Sequence, residues 1–179
     1  WELIIVGLLC VLFAFLYTTG PYPLSYNGWG DILVIVFFGF VPVGGTYYVQ
    51  ALTWTTDITI ASLICGLLID TLLVVNNYRD READARSGKR TVIVRFGEKF
   101  GSYLYLMLGV AASLLCFWFL FEGHLYAALL PLLYLIPHFL TWKRMVRIHS
   151  GKKLNSILGE TSRNMLLMGV LLSIGFFLN

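Results

Sequence analysis

Charge is what this sequence has least of. Only 13% of its 179 residues are Asp, Glu, Lys or Arg, while 58% are hydrophobic; a soluble globular domain carries roughly 25% charge. So little charge cannot clothe a water-soluble surface, and the chain is read as one that spends most of its length in lipid. The G-x-G-x-x-G, Walker and H-E-x-x-H patterns are missing, and no Cys or His spacing suits zinc, which removes the common nucleotide and zinc chemistries. No nucleic-acid partner is expected. Cys10, Cys65 and Cys116 stand singly inside apolar stretches and read as small core or lipid-facing residues. His124, His138 and His149 are scattered and read as structural or surface residues. The alternating pattern of a membrane barrel is missing too. So are the basic start and small-residue cleavage site of a signal peptide. The chain opens on Trp1, and the simplest reading is that this residue lies inside a longer protein.

Long apolar runs are what the sequence has instead. They fall at residues 3–16, 32–50, 58–76, 101–121, 124–142 and 162–178. Most are near the roughly 20 residues that cross a bilayer core of about 30 Å, and the first is shorter. Backbone amides in lipid must be satisfied within the segment, so such runs are helices. The expected fold is all-α, a polytopic transmembrane bundle of about six helices forming one domain over 1–179.

The few cations are placed very unevenly. Arg79, Arg81, Arg86, Lys89, Arg90, Arg95 and Lys99 follow the third run; Lys143, Arg144, Arg147, Lys152, Lys153 and Arg163 surround the junction of the fifth and sixth. These are all thirteen Lys and Arg residues of the chain. The alternate loops carry only Asp57 and Glu122. The positive-inside rule places both basic loops in the cytoplasm, two crossings apart. The Tyr17–Asp31 loop then faces the cytoplasm as well, and Trp1 the outer side. Orientation and contact with anionic lipid account for the sign of these loops. They do not account for the acids interleaved in the first of them.

That loop reads NNYRDREADARSGKRT from Asn76 to Thr91. If the third helix continues past the membrane surface, Asn76, Asp80 and Asp84 share one face at intervals of four. Two carboxylates so placed repel by about a few tenths of a kcal/mol, and a divalent cation between them removes the repulsion. Magnesium suits such a pair, since it takes one or two carboxylates and fills its remaining positions with water and substrate phosphate. Arg79, Arg81, Arg86, Lys89 and Arg90 surround the acids, a mixture that fits an Mg²⁺–diphosphate complex. A solvated juxtamembrane helix with local pairs such as Glu82–Arg86 fits the same spacing.

The string NNYRDREADARSGKRTVIVRFG resembles the second aspartate-rich motif of the UbiA superfamily of intramembrane prenyltransferases. It is most similar to the branch that prenylates 1,4-dihydroxy-2-naphthoate. YTTGPYPLSYNGWGD at Tyr17–Asp31, GTYYVQ at Gly45–Gln50 and LNSILGET at Leu154–Thr161 also resemble that branch. The resemblance implies a nine-helix fold with two cytoplasmic aspartate-rich motifs. This chain then corresponds to helices four to nine, without helices one to three and the first motif. It implies transfer of a polyprenyl group from its diphosphate to 1,4-dihydroxy-2-naphthoate, releasing CO₂ and diphosphate and giving demethylmenaquinone, in a bacterial cytoplasmic membrane with Mg²⁺ as cofactor. Carried onto these residues, Asp80 and Asp84 bind metal, Asn76 and Asn77 support metal or substrate, and Arg79, Lys89 and Arg90 contact diphosphate. Tyr17, Tyr22 and Tyr26 belong to a loop that caps the cavity near the aromatic acceptor, or else to an interfacial aromatic belt. Another acceptor such as 4-hydroxybenzoate or homogentisate is the alternative within the superfamily. A non-catalytic membrane bundle is the alternative outside it.

Two further residues are singled out. Asp70 lies inside the third apolar run, where an ionised carboxylate costs about 2.5–3.5 kcal/mol. It is expected to face the interior, as a wall of the cavity or as a protonated or hydrogen-bonded packing residue. Gly97 and Gly101 form a nominal GxxxG, expected to serve packing at a helix start rather than a dimer face.

Overall fold

The computed structural model describes residues 1–178, and all the regular structure there is helical. We number six helical rods: α1 (Glu2–Thr18), α2 (Gly30–Ala51), α3 (Thr56–Arg86), α4 (Val92–Phe121), α5 (Leu125–Ile148) and α6 (Asn155–Phe177). Among the described residues, α2 to α5 are long and apolar enough to cross a membrane. At 17 residues α1 is the short apolar helix expected from its run. The last rod starts seven residues ahead of its apolar run, with Glu160, Arg163 and Asn164 in its first half.

At 31 residues α3 is the longest rod, about 46 Å at 1.5 Å per residue. It exceeds the hydrocarbon thickness, so the helix continues through the motif as the sequence reading required. Thr55 caps its start, its Oγ1 accepting from the Ile58 amide at 3.3 Å. Its end is closed by the left-handed Gly88, φ 78°. Thr91 then caps α4, accepting from the Val94 amide at 3.2 Å.

Helix α3 is also the centre of the packing. Against α2 the backbones themselves touch: a Cβ on Gly39 would lie 2.5 Å from the Ser62 carbonyl oxygen, and one on Gly66 2.8 Å from that of Ile35. Small residues permit this approach between membrane helices. Within α2, Ile35–Gly44 is wound as a π-helix containing Pro42, which removes a backbone donor and widens the turn. Toward the motif end, Val74, Val75 and Tyr78 of α3 pack with Ile93 and Tyr105 of α4, Met145 of α5, and Leu154 and Ile157. Toward the other end, Ile64 and Leu68 meet Ala112, Phe119, Tyr134 and Met168.

A buried polar clasp joins α4, α5 and α6. His138 is sandwiched between Tyr105 and Tyr134, with ring centroids 4.7 and 5.0 Å away. It bonds the Tyr134 hydroxyl at 2.9 Å and the Leu106 carbonyl at 3.2 Å. Tyr105 reaches Thr161 at 3.0 Å, and Asn164 donates to Thr141 at 3.0 Å. These satisfied groups make His138 structural, as the sequence reading held. Gly97, at φ 89°, breaks the first turns of α4, and Gly101 packs on Ile93; both serve the helix start.

The α2–α3 crossing yields a paired expectation. Gly39→Leu overpacks a backbone contact and should cost about 1–3 kcal/mol, read as a lower thermal midpoint in detergent. Gly45→Ala, on the same rod with nothing within 4 Å, should leave the midpoint unchanged. Equal midpoints for both variants would show that the crossing is not close-packed.

Candidate active site

The projecting turns of α3 carry the motif on a rigid helix rather than a loose loop. Arg79 is its hub. Its guanidinium grips Asp80 in a fork, Nε to Oδ1 at 2.7 Å and Nη2 to Oδ2 at 2.6 Å. Nη2 also donates to Asn76 Oδ1 at 2.7 Å, and Nη1 to Asn155 Oδ1 at 2.9 Å. Such planar bidentate pairing is what a guanidinium does and an ammonium does not. Asn76, Arg79 and Asp80 thus form one hydrogen-bonded unit tied to the start of α6. One Nη1 hydrogen of Arg79 remains for another acceptor.

One turn further, Asp84 pairs with Lys89, Nζ to Oδ2 at 3.3 Å. The Lys89 amide donates to the Asp84 carbonyl at 2.9 Å, closing the turn. Both side chains are largely buried, 14% exposed for Asp84 and 21% for Lys89. Asp80 and Asp84 therefore lie one turn apart, each held by its own cation. The local pair Glu82–Arg86 does not occur among the ion pairs of the described residues.

Arg81 belongs to a different knot. It bonds the carbonyls of Tyr78 at 2.7 Å and His149 at 3.0 Å, and Glu98 at 3.1 Å. Tyr78 donates to Glu98 at 2.6 Å, and His149 reaches the same carboxylate. Glu98 thereby locks the end of α3 to α4 and to the α5–α6 turn. The sequence grouped Arg81 with the cations around the acids; the geometry makes it a structural brace.

The stretch read as one loop from Tyr17 to Asp31 includes the end of α1 and the start of α2; the segment between them docks on the α3–α4 turn through its backbone. The Arg90 amide donates to the Tyr26 carbonyl at 2.7 Å. Arg95 donates to the carbonyls of Asn27 at 2.7 Å and Arg90 at 3.0 Å. Gly28 sits at φ 83° where a Cβ would come 3.0 Å from the Arg90 carbonyl oxygen. The result is a small polar recess lined by Tyr17, Ser25, Asp31, Asn77, Lys89 and Thr91. Of the residues singled out in the sequence, Tyr17, Asn77 and Lys89 line this recess together. Tyr22 and Tyr26 are not: they are 57% and 42% exposed, and Tyr26 contributes its carbonyl. The Arg90 side chain is exposed as well.

The residues present can be weighed against Mg²⁺ by their donors. Among the described residues no three His, Cys, Asp or Glu side chains converge to hold a metal. Two carboxylates one turn apart, the first linked through Arg79 to the Asn76 amide, match an ion that takes one or two carboxylates and completes its shell with water and phosphate oxygen. The set fits Mg²⁺ bound together with a diphosphate. It does not fit a metal caged by these residues alone.

Comparison with known proteins decides the family. The model of the UbiA prenyltransferase family matches residues 1–177. The chain belongs to the UbiA prenyltransferase family. It is 35% identical over 187 aligned residues to the 1,4-dihydroxy-2-naphthoate octaprenyltransferase of Haemophilus influenzae, covering 97% of this chain and 56% of that protein. With the protein of the same name from Escherichia coli K12 the figures are 33% over 186 residues, 98% and 58%. With that of Mycobacterium tuberculosis they are 43% over 115 residues, 64% and 39%. The chain spans a little over half the length of the first two relatives. No solved structure matches it.

One site residue escaped the sequence reading. Asp31 looks like an ordinary acid in a helix's first turn, yet its Oδ1 is buried without a hydrogen-bond partner. Asp70 is 1% exposed, and its Oδ1 is equally unpartnered. The two carboxyl groups interact electrostatically with each other and with Tyr17. A buried polar group left unbonded costs stability, so a carboxyl kept for packing alone would be expected to have found a partner. Asp70→Leu should leave the thermal midpoint unchanged or raise it by about a few degrees. A fall of more than about 5 °C would show that the carboxyl braces the fold.

Proposed function

We propose that this chain supplies one acidic half of a prenyl-transfer site. The observation that carries the reading is the Asp80–Asp84 pair, set one turn apart on the projecting end of α3 amid Arg79, Lys89 and Arg90, in a chain of the UbiA family. The relatives are named as octaprenyltransferases of 1,4-dihydroxy-2-naphthoate; for this chain the acceptor is that naphthoate, and the basic residues around the acids suit a donor that is a polyprenyl diphosphate. The reaction joins the prenyl carbon to the naphthoate ring, breaks the carbon–oxygen bond to diphosphate, and expels the ring carboxylate as CO₂; no oxidant takes part, so both hydroxyls remain and the immediate product is the hydroquinone, demethylmenaquinol.

Asp80 and Asp84 hold Mg²⁺ in this scheme, with Asn76 and Asn77 in support. The ion, when bound, neutralises charge on the departing diphosphate. Lys89 shares the recess of Tyr17 and Asn77 and offers its ammonium to a diphosphate oxygen, as do the free hydrogen of Arg79 and the exposed Arg90. These cations stabilise the leaving group more strongly as charge accumulates on it. Tyr17, in the last turn of α1, lines the same recess and is the aromatic ring offered to the acceptor, and the loop that follows it, with the apolar helices, keeps water from the developing allylic cation. The motif end of α3 faces the cytoplasm of a bacterium in this reading, because all thirteen Lys and Arg residues lie in and around the α3–α4 and α5–α6 junctions.

The second acidic half lies outside these 179 residues. A diphosphate with its metal carries several charges that a low-dielectric site must neutralise, and two carboxylates do so incompletely. These residues alone should show little prenyl transfer, and a preparation that also carries the preceding helices should show it in full.

In such an active preparation, Asp80→Ala and Asp84→Ala should each lower turnover by at least about a hundredfold, with membrane insertion intact. With one prenyl diphosphate and equimolar acceptors, 1,4-dihydroxy-2-naphthoate should be consumed ahead of 4-hydroxybenzoate. Near-normal turnover by either variant would remove the metal role; preference for 4-hydroxybenzoate would move the chain to another branch of the family.

A further inference from the structure

Away from the motif, a groove of about 350 Å³ opens between α5 and α6. Lys143, Arg144, Arg147 and Arg163 line it against one carboxylate, Glu160. Glu160 is already committed: its Oε1 pairs with Arg144 at 2.5 Å and its Oε2 accepts from Thr141 at 3.4 Å. Lys143 lies 4.5 Å over the Phe139 ring. Arg147 and Arg163 enter no ion pair among the described residues. The groove thus holds a surplus of positive charge with two guanidinium groups uncommitted.

Its position makes that surplus informative. Arg163 stands eight residues into α6, about 12 Å along the axis from its first residue, on an exposed face. Because α6 begins seven residues ahead of its apolar run, Arg163 stands at the start of that run, where a long cation meets the phosphates of the lipid interface. The faces running away from the cations are apolar. Leu167 follows Arg163 at helical spacing, 37% exposed; Val170 and Ile174 continue the stripe, 45% and 44% exposed, at its border with the cleft between α6 and α2 and α3. On α5, Pro137 and Leu140 line the groove, and Leu133 continues that face one turn earlier, 52% exposed. Cations at one end and an exposed apolar strip beyond them match the two parts of a phospholipid.

We propose that this outer groove is a binding site for an anionic phospholipid, its phosphate held by Arg147 and Arg163 and an acyl chain lying along Leu140, Leu167 and Val170. Basic pockets between transmembrane helices at the cytoplasmic side recognise such headgroups. The Arg144–Glu160 pair, bonded through Thr141 to Asn164, fixes the floor of the groove. No motif residue takes part, so the site is independent of the prenyl-transfer reading.

Native mass spectrometry of the purified protein, released from micelles holding equimolar phosphatidylglycerol and phosphatidylcholine, tests it. The protein should retain phosphatidylglycerol over phosphatidylcholine by at least about fivefold. Arg147→Gln/Arg163→Gln should abolish the preference. Lys152→Gln/Lys153→Gln, which removes the same charge from the neighbouring turn, should preserve it. Should the first double variant not fold, Arg147→Gln alone, an exposed position, should at least halve the preference. Inorganic phosphate at millimolar concentration should not displace the lipid. The proposal is overturned by undiminished retention in the Arg147 and Arg163 variants, by equal loss in the Lys152/Lys153 variant, or by displacement with inorganic phosphate, which would mark an anion pocket without a lipid role.

Discussion

The motif stands where it does because α3 is longer than the bilayer is thick. Its apolar stretch is committed to hydrocarbon, since no other environment satisfies both its side chains and its amides. The remaining turns must project, and they do so as helix, which fixes Asn76, Asp80 and Asp84 in register. The rest of the architecture keeps that rod from rotating or bending. Gly39 and Gly66 let α2 lie backbone to backbone against it. The Glu98 knot, joining Tyr78, Arg81 and His149, holds its far end. Arg79, bonded to Asn155, ties the motif to α6.

Charge placement then sorts the cations by task. Arg79 and Lys89 pair with the two carboxylates of the motif, one Arg79 hydrogen remaining free. Arg81 and Arg95 are spent on backbone carbonyls and Glu98, which docks the loops. Arg147 and Arg163 remain uncommitted on the outer groove. The cations of the two basic segments are therefore three populations, distinguished by what each guanidinium or ammonium touches.

Much of this was legible in the residues. The apolar runs give the rods, because length and hydropathy are enforced by lipid; the boundaries drift only where polar turns extend a helix, as at Asn155 ahead of the sixth run. The i, i+4 spacing of Asp80 and Asp84 gives their common face once α3 continues past the membrane. What stayed hidden depends on partners distant in sequence. Asp31 reads as a helix-start acid until its buried, unbonded Oδ1 and its electrostatic interaction with Asp70 and Tyr17 are seen. Nothing in the local sequence of Arg81 separates it from Arg79. Tyr22 and Tyr26 read as cap residues beside Tyr17, but the loop turns them outward and uses the Tyr26 carbonyl instead. The π-helical winding of α2 is likewise not announced by Pro42 alone.

The most direct test of the half-site is ligand binding rather than turnover, because binding isolates the metal–diphosphate contact from every later step. Calorimetric titration of the complete protein with a non-reactive prenyl thiodiphosphate should show affinity that needs Mg²⁺. Asp80→Asn and Asp84→Asn should each weaken it by at least about tenfold, the scale of losing one charge-assisted contact, and omitting Mg²⁺ should weaken the unmodified protein to the same level. Affinity unchanged by either substitution, or indifferent to Mg²⁺, would contradict the assignment of these two carboxylates.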